Sequence, residues 1–213
     1  MLIMTNIETH KPIVNFFREM NFFGGREDSF IFFAQAMLPT IDADGKILLQ
    51  SESSIHLAPN GNGAVLDSIM SVPDFTDLCK HLDYIQIIGV DNVINKLLDP
   101  TFIGYSAENK LQAAMKSVSK RNAGEKVGVL AKKNGLYNIV EYSEIPEELM
   151  SELDEEGNLK YRLGSILVFL VDAKFLLKIA QDNSEEKNLY HKAFKKVSYY
   201  SEDRQMINPT KEN

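Results

Sequence analysis

Two short apolar runs, Tyr84-Ile85-Gln86-Ile87-Ile88-Gly89-Val90 and Ser165-Ile166-Leu167-Val168-Phe169-Leu170-Val171, constrain the fold more than any other feature of the chain. Each has the length and composition of a strand buried on both faces. Segments of helical spacing stand around them, at 64–70, 74–82 and 173–180. That alternation predicts a mixed α/β unit with a layered core. Asp91 and Asn92 fall where the first run ends, and in open α/β sheets ligands collect beyond strand ends.

At 213 residues, 44% hydrophobic and 25% charged, the chain can bury one good-sized core. A net charge of −7 disfavours a nucleic-acid surface and leaves room for a local basic pocket that takes a phosphorylated small molecule. No apolar run approaches the ~20 residues of a membrane span. The N-terminus lacks the basic and apolar regions of a secretory signal, so a cytoplasmic protein is expected. One cysteine, Cys79, argues against a disulfide framework and a cysteine-rich metal site.

Further strands are predicted at 30–33 and 45–49, after an amphipathic opening around Ile13–Phe17. A hairpin is predicted over 126–144 with Asn134-Gly135 as its turn, and a short acidic helix over 147–153 behind Pro146. Val93 to Leu98 has the pattern of a short helix stopped by Asp99-Pro100. Asp91 therefore has two readings of equal weight, the cap of that helix or a hard carboxylate for a metal ion. The loop Ala58-Pro59-Asn60-Gly61-Asn62-Gly63 also has two. Its glycines bring bare backbone N–H groups close to a base or phosphate, or they close an ordinary turn.

Landmarks in order along the chain are Ile3-Met4-Thr5, Asn21-Phe22-Phe23-Gly24, Gln35 with Leu38-Pro39, and Pro59-Asn60-Gly61-Asn62-Gly63. Then come Val90-Asp91-Asn92, Asp99-Pro100 with Phe102-Ile103-Gly104, Glu125-Lys126-Val127-Gly128-Val129, Val140-Glu141-Tyr142-Ser143-Glu144 and Lys195-Lys196-Val197. This order resembles the eukaryotic-type UDP-N-acetylhexosamine pyrophosphorylases, a branch of the UDP-sugar pyrophosphorylases, over nearly the whole chain. The resemblance implies a Rossmann-like nucleotidyltransferase fold of the GT-A type, a mixed sheet flanked by helices. It implies the reaction of UTP with N-acetylglucosamine 1-phosphate to give UDP-N-acetylglucosamine and pyrophosphate, with Mg²⁺ as cofactor.

By the same resemblance Gln35 faces uracil, Gly61 and Asn62 contact nucleotide and sugar, Asp91 binds Mg²⁺, and Glu141 with Tyr142 recognises the sugar. Lys196 is the phosphate-binding catalytic candidate. Ser165 stands in Leu163-Gly164-Ser165 where the family has Ala-Gly-Asn beside the sugar, and apolar Val168-Phe169 replaces an Asn-His pair. The family's glycine-rich phosphate loop lies upstream of the Ile-Met-Thr landmark, and its C-terminal domain lies beyond Lys211-Glu212-Asn213. Residues 1–213 are thus expected to be the central part of a catalytic domain, incomplete at its first strand. Two readings result. One is a uridylyltransferase completed by a polypeptide that carries the glycine-rich loop; the other is a non-catalytic remnant that binds a uridine nucleotide weakly or a partner chain.

Overall fold

Strands and helices alternate along the chain in the computed structural model, which describes residues 1–133, 135–182 and 194–212. They form two compact units, Met1–Leu78 with Leu177–Asn213, and Cys79–Leu176.

The first unit begins with β1 (Leu2–Thr5), α1 (His10–Glu19) and β2 (Ile31–Ala34). β1 and β2 run parallel, Leu2 opposite Ile31 and Thr5 opposite Ala34. Aromatic edges tie α1 to this pair: the Phe17 ring lies 5.1 Å from that of Phe32 and 5.5 Å from that of Phe30. Such contacts add to the area each ring buries. β3 (Met37–Pro39), β4 (Leu49–Ser51), β5 (Ser54–Ile55) and β6 (Leu57–Pro59) come next, with β3 antiparallel to β6. The strand predicted over 45–49 starts only at Leu49. Asp42 is the reason, because its carboxylate accepts the Asp44 and Lys46 N–H groups and offers that backbone a turn instead of a ladder. The short helices α2 (Val65–Ser68) and α3 (Phe75–Lys80) bracket Ile69 and Val72, which are buried with Phe75.

The second unit holds β7 (Tyr84–Ile88), α4 (Pro100–Glu108), β8 (Ala113–Ser119), β9 (Val129–Lys133), β10 (Leu136–Val140), α5 (Glu147–Met150) and β11 (Leu163–Asp172). α6 (Ala173–Gln181) leads back to the first unit, where β12 (Tyr199–Tyr200) pairs with β13 (Met206–Ile207) and β4. Both apolar runs are strands, as their composition predicts, and they pair with each other from Val168↔Ile88 to Asp172↔Tyr84. β11 is central to an antiparallel five-stranded sheet. β8 runs along one edge of it, while β9 at Gly164 and then β7 from Val168 onward share the other. Val129, Val168, Leu170 and Leu176 are fully buried. Each such side chain stabilises the fold by roughly 1.5–3 kcal/mol.

Further expectations need correction in the second unit. Residues 93–98 form turns, not a helix. The Gln86 side chain intercepts their backbone: its Oε1 accepts the Leu98 N–H at 2.6 Å and its Nε2 donates to the Lys96 carbonyl at 3.4 Å. Asp99-Pro100 opens α4 rather than merely ending the segment before it. The Asp99 carboxylate accepts the Thr101 N–H at 3.2 Å and Pro100 stands in the first turn, a strong N-terminal signal. The predicted hairpin is present as β9 and β10, with Val140 opposite Val129 and Leu136 opposite Lys133. Gly135 adopts φ +81°, and Asn134 lies outside the described residues. The acidic helix ends sooner than expected, at Met150. No helix among the described residues is long and apolar enough to cross a membrane.

Candidate functional site

The candidate residues form one group in each unit. In the first unit, Gln35 comes directly after β2 and donates its N–H to the Thr5 carbonyl at 2.8 Å. The β3–β6 register places Met37 opposite Pro59, and the Asn60 N–H reaches the Ala36 carbonyl at 3.3 Å. Gln35 is thereby brought beside the loop that holds Gly61 and Asn62. Gly61 has φ +91°, the left-handed region where a Cβ is disfavoured, so the backbone itself asks for glycine there. Asn62 is exposed at the start of a helical turn over Asn62–Ala64. The Gln35 Oε1 is buried and has no hydrogen-bond partner. An acceptor left in that state costs about 1–3 kcal/mol, and a ligand N–H would relieve it. Lys196 is exposed in the segment before β12, with no hydrogen bond or ion pair to its side chain among the described residues.

In the second unit the site grows from a defect in β11. Ser165 pairs with Ser117 and Val168 with Lys116, so Ile166 and Leu167 are extra residues on one strand. This β-bulge puts Leu167 at φ +54°. The bulge lies where β9 gives way to β7 along the same edge, and it serves both neighbours. The Leu167 carbonyl accepts the Gly89 N–H at 3.0 Å, and the Ser165 N–H donates to the Gly128 carbonyl at 2.8 Å. A Cβ on Gly89 would meet Asp91 Oδ1 at 2.8 Å, and one on Gly128 would meet Glu141 Oε1 at 3.2 Å. Asp91, Ser165 and Glu141 are thus carried to the two margins of one bulge. Tyr142, next to Glu141, is half-exposed and has the Lys126 ammonium 6.0 Å from its ring centre.

The structure decides between the two readings of Asp91 in one respect. No helix begins at Val93, so Asp91 caps none; its exposed carboxylate is free of protein partners among the described residues. Those residues contain no cluster of three or more metal-ligating side chains. A single hard carboxylate matches the way Mg²⁺ is held, by one or two carboxylates together with substrate phosphates. Sequence reasoning missed Gly89, Gly128, Leu167 and Lys126 as site residues. Lys126 and Gly128 stand within the landmark at 125–129, whereas the roles of Gly89 and Leu167 arise from strand pairing and leave no local signal.

Residues 1–211 match the family described as UTP–glucose-1-phosphate uridylyltransferase. The UDP-N-acetylglucosamine pyrophosphorylase of Saccharomyces cerevisiae is 37% identical over 93% of this chain and 42% of its own length. The UDP-N-acetylglucosamine diphosphorylase 2 of Arabidopsis thaliana is 35% identical over 92% of this chain and 39% of its own. The uridine diphosphate N-acetylglucosamine pyrophosphorylase from Trypanosoma brucei, solved in complex with an inhibitor, shares the fold with a TM-score of 0.80 at 30% identity. That match covers 97% of this chain and 41% of the other. The chain spans about two-fifths of the length of the curated relatives it matches.

Proposed function

The chain belongs to the UTP–glucose-1-phosphate uridylyltransferase family, and from that premise we propose that it carries the uridine- and sugar-recognising part of a UDP-N-acetylglucosamine pyrophosphorylase. The reaction joins UTP and N-acetylglucosamine 1-phosphate, releasing pyrophosphate. A phosphate oxygen of the sugar attacks the α-phosphorus of UTP in line, so the protein's task is to position reactants and neutralise charge. One observation carries the reading: the unbonded, buried Oε1 of Gln35 beside the open Gly61-Asn62 loop. An amide oxygen there matches the N–H of a pyrimidine edge.

In the same reading Asn62 offers its amide to the nucleotide sugar, Glu141 accepts from sugar hydroxyls, and Tyr142 packs against the sugar. Ser165 holds the sugar-side strand in register through Gly128. Lys196 neutralises phosphate charge. Asp91 would hold Mg²⁺, which when bound offsets the charge of the triphosphate and favours attack at the α-phosphorus.

The second reading, a binder without turnover, is favoured at Ser165. Its hydroxyl stands 3.5 Å from the Leu167 N–H, within the chain's own bulge, and Val168, where regular pairing resumes, is buried. A pyrophosphate-release assay with UTP, Mg²⁺ and N-acetylglucosamine 1-phosphate separates the two. The purified chain is expected to bind UDP-N-acetylglucosamine and release little pyrophosphate until a polypeptide bearing the glycine-rich loop is added. Absence of turnover after that addition would leave the binder reading, and absence of binding would contradict both.

A further inference from the structure

Among the glycines of the second unit, Gly89 is where an added Cβ would come nearest to its neighbours, at 2.8 Å. Its φ lies outside the left-handed region, so the backbone tolerates any residue there. An added Cβ would meet two atoms, Asp91 Oδ1 and Leu167 Cδ2, each at 2.8 Å. Both are the far ends of flexible side chains, which move aside at little expense to the fold. Gly164 differs, because a Cβ there would approach the Val118 carbonyl at 3.3 Å as well as Val127 at 3.0 Å. Packing and backbone therefore leave Gly89 replaceable, and the placement of the Asp91 carboxylate does not.

We propose that Gly89 is a positioning residue: its bare Cα is the floor on which the Asp91 carboxylate folds back, with the bulged Leu167 as the opposite wall. Two features fix the Leu167 wall, and a third places the Asp91 oxygen beside it. The Gly89 N–H is tied to the Leu167 carbonyl at 3.0 Å. Leu167, one of the two extra residues of β11, has φ +54°. The Asp91 oxygen and the Leu167 methyl converge on one point above Gly89. Positive φ in a leucine is strained, and such strain persists where surrounding structure holds it in place. The consequence for metal binding rests on the proposed role of Asp91; the placement of its carboxylate does not.

The test is Gly89→Ala in the full chain, with Gly104→Ala as control, since a Cβ at 104 meets nothing within 4 Å. The side-chain rotamer of Asp91 is read from three-bond couplings to its Cγ by NMR, and stability from the thermal midpoint. Gly89→Ala is expected to change the Asp91 couplings while leaving the midpoint near that of the wild type. Gly104→Ala leaves the couplings unchanged. Couplings identical to wild type in Gly89→Ala, or an equal change in the control, would overturn the proposal. A titration with Mn²⁺ and UTP reports separately on the metal. Gly89→Ala is expected to weaken it by about 10-fold or more, as displaced ligand supports do. If Asp91→Asn leaves that titration unchanged, the metal role fails while the couplings still decide the role of Gly89.

Discussion

Gln35 carries an acceptor that is buried and unbonded, so the ligand-free chain bears a penalty at a residue whose proposed use is binding. Gln35→Met keeps the side chain's approximate shape and removes the oxygen. The variant is expected to be more stable than the wild type by roughly 1 kcal/mol in urea unfolding, within the range for removing an unsatisfied buried polar atom. Equal or lower stability would mean that Oε1 is satisfied in the folded chain. Legibility at this scale depended on where a residue's reason lies. Gly61 could be singled out because an Asn-Gly-Asn-Gly run is a local backbone signal, and its φ of +91° agrees. Gly89 could not, because the atoms that an added side chain would displace belong to Asp91 and to Leu167 on a distant strand. The rival reading of Asp91 as a cap failed with the helix it would have capped.

At the scale of elements, α4 shows how a local signal can be read in the wrong direction. Asp99-Pro100 closes the segment before it and also caps the helix after it. The second function prevails because Thr101 supplies the N–H and Lys116 a counter-charge at 2.6 Å. The Lys116 hydrogen bond, aided by the Thr101 N–H, holds the Asp99 carboxyl below the usual carboxylate range, against the opposing effect of desolvation. A carboxyl depressed in the folded state binds protons more readily when unfolded. Its stabilisation is therefore present above about pH 4 and fades as pH falls through the depressed folded value. Asp99→Asn is expected to be less stable than the wild type at pH 7, with the gap narrowing as the pH falls below about 4. A gap independent of pH in urea unfolding would show that the ion pair contributes nothing. β7 and β11 were legible because buried strands need only composition and length. The bulge in β11 was not, since Ile166 and Leu167 look like any apolar pair until β8 and β7 fix the register.

For the whole molecule, the order of landmarks was more informative than periodicity. The landmarks identified a uridylyltransferase relative over nearly the full chain, and the match to residues 1–211 agrees. Each unit assembles its own group of candidate residues, Gln35 with Gly61 and Asn62 in one, Asp91 with Ser165 and Glu141 in the other. The first group carries the proposal for uridine recognition. Its direct test is a calorimetric titration of the purified chain with UDP-N-acetylglucosamine, repeated on Gln35→Ala and Asn62→Ala. The account predicts saturable binding at one site, weakened by about 10-fold or more in each variant through loss of a hydrogen bond to the ligand. An affinity unchanged in both variants would contradict it.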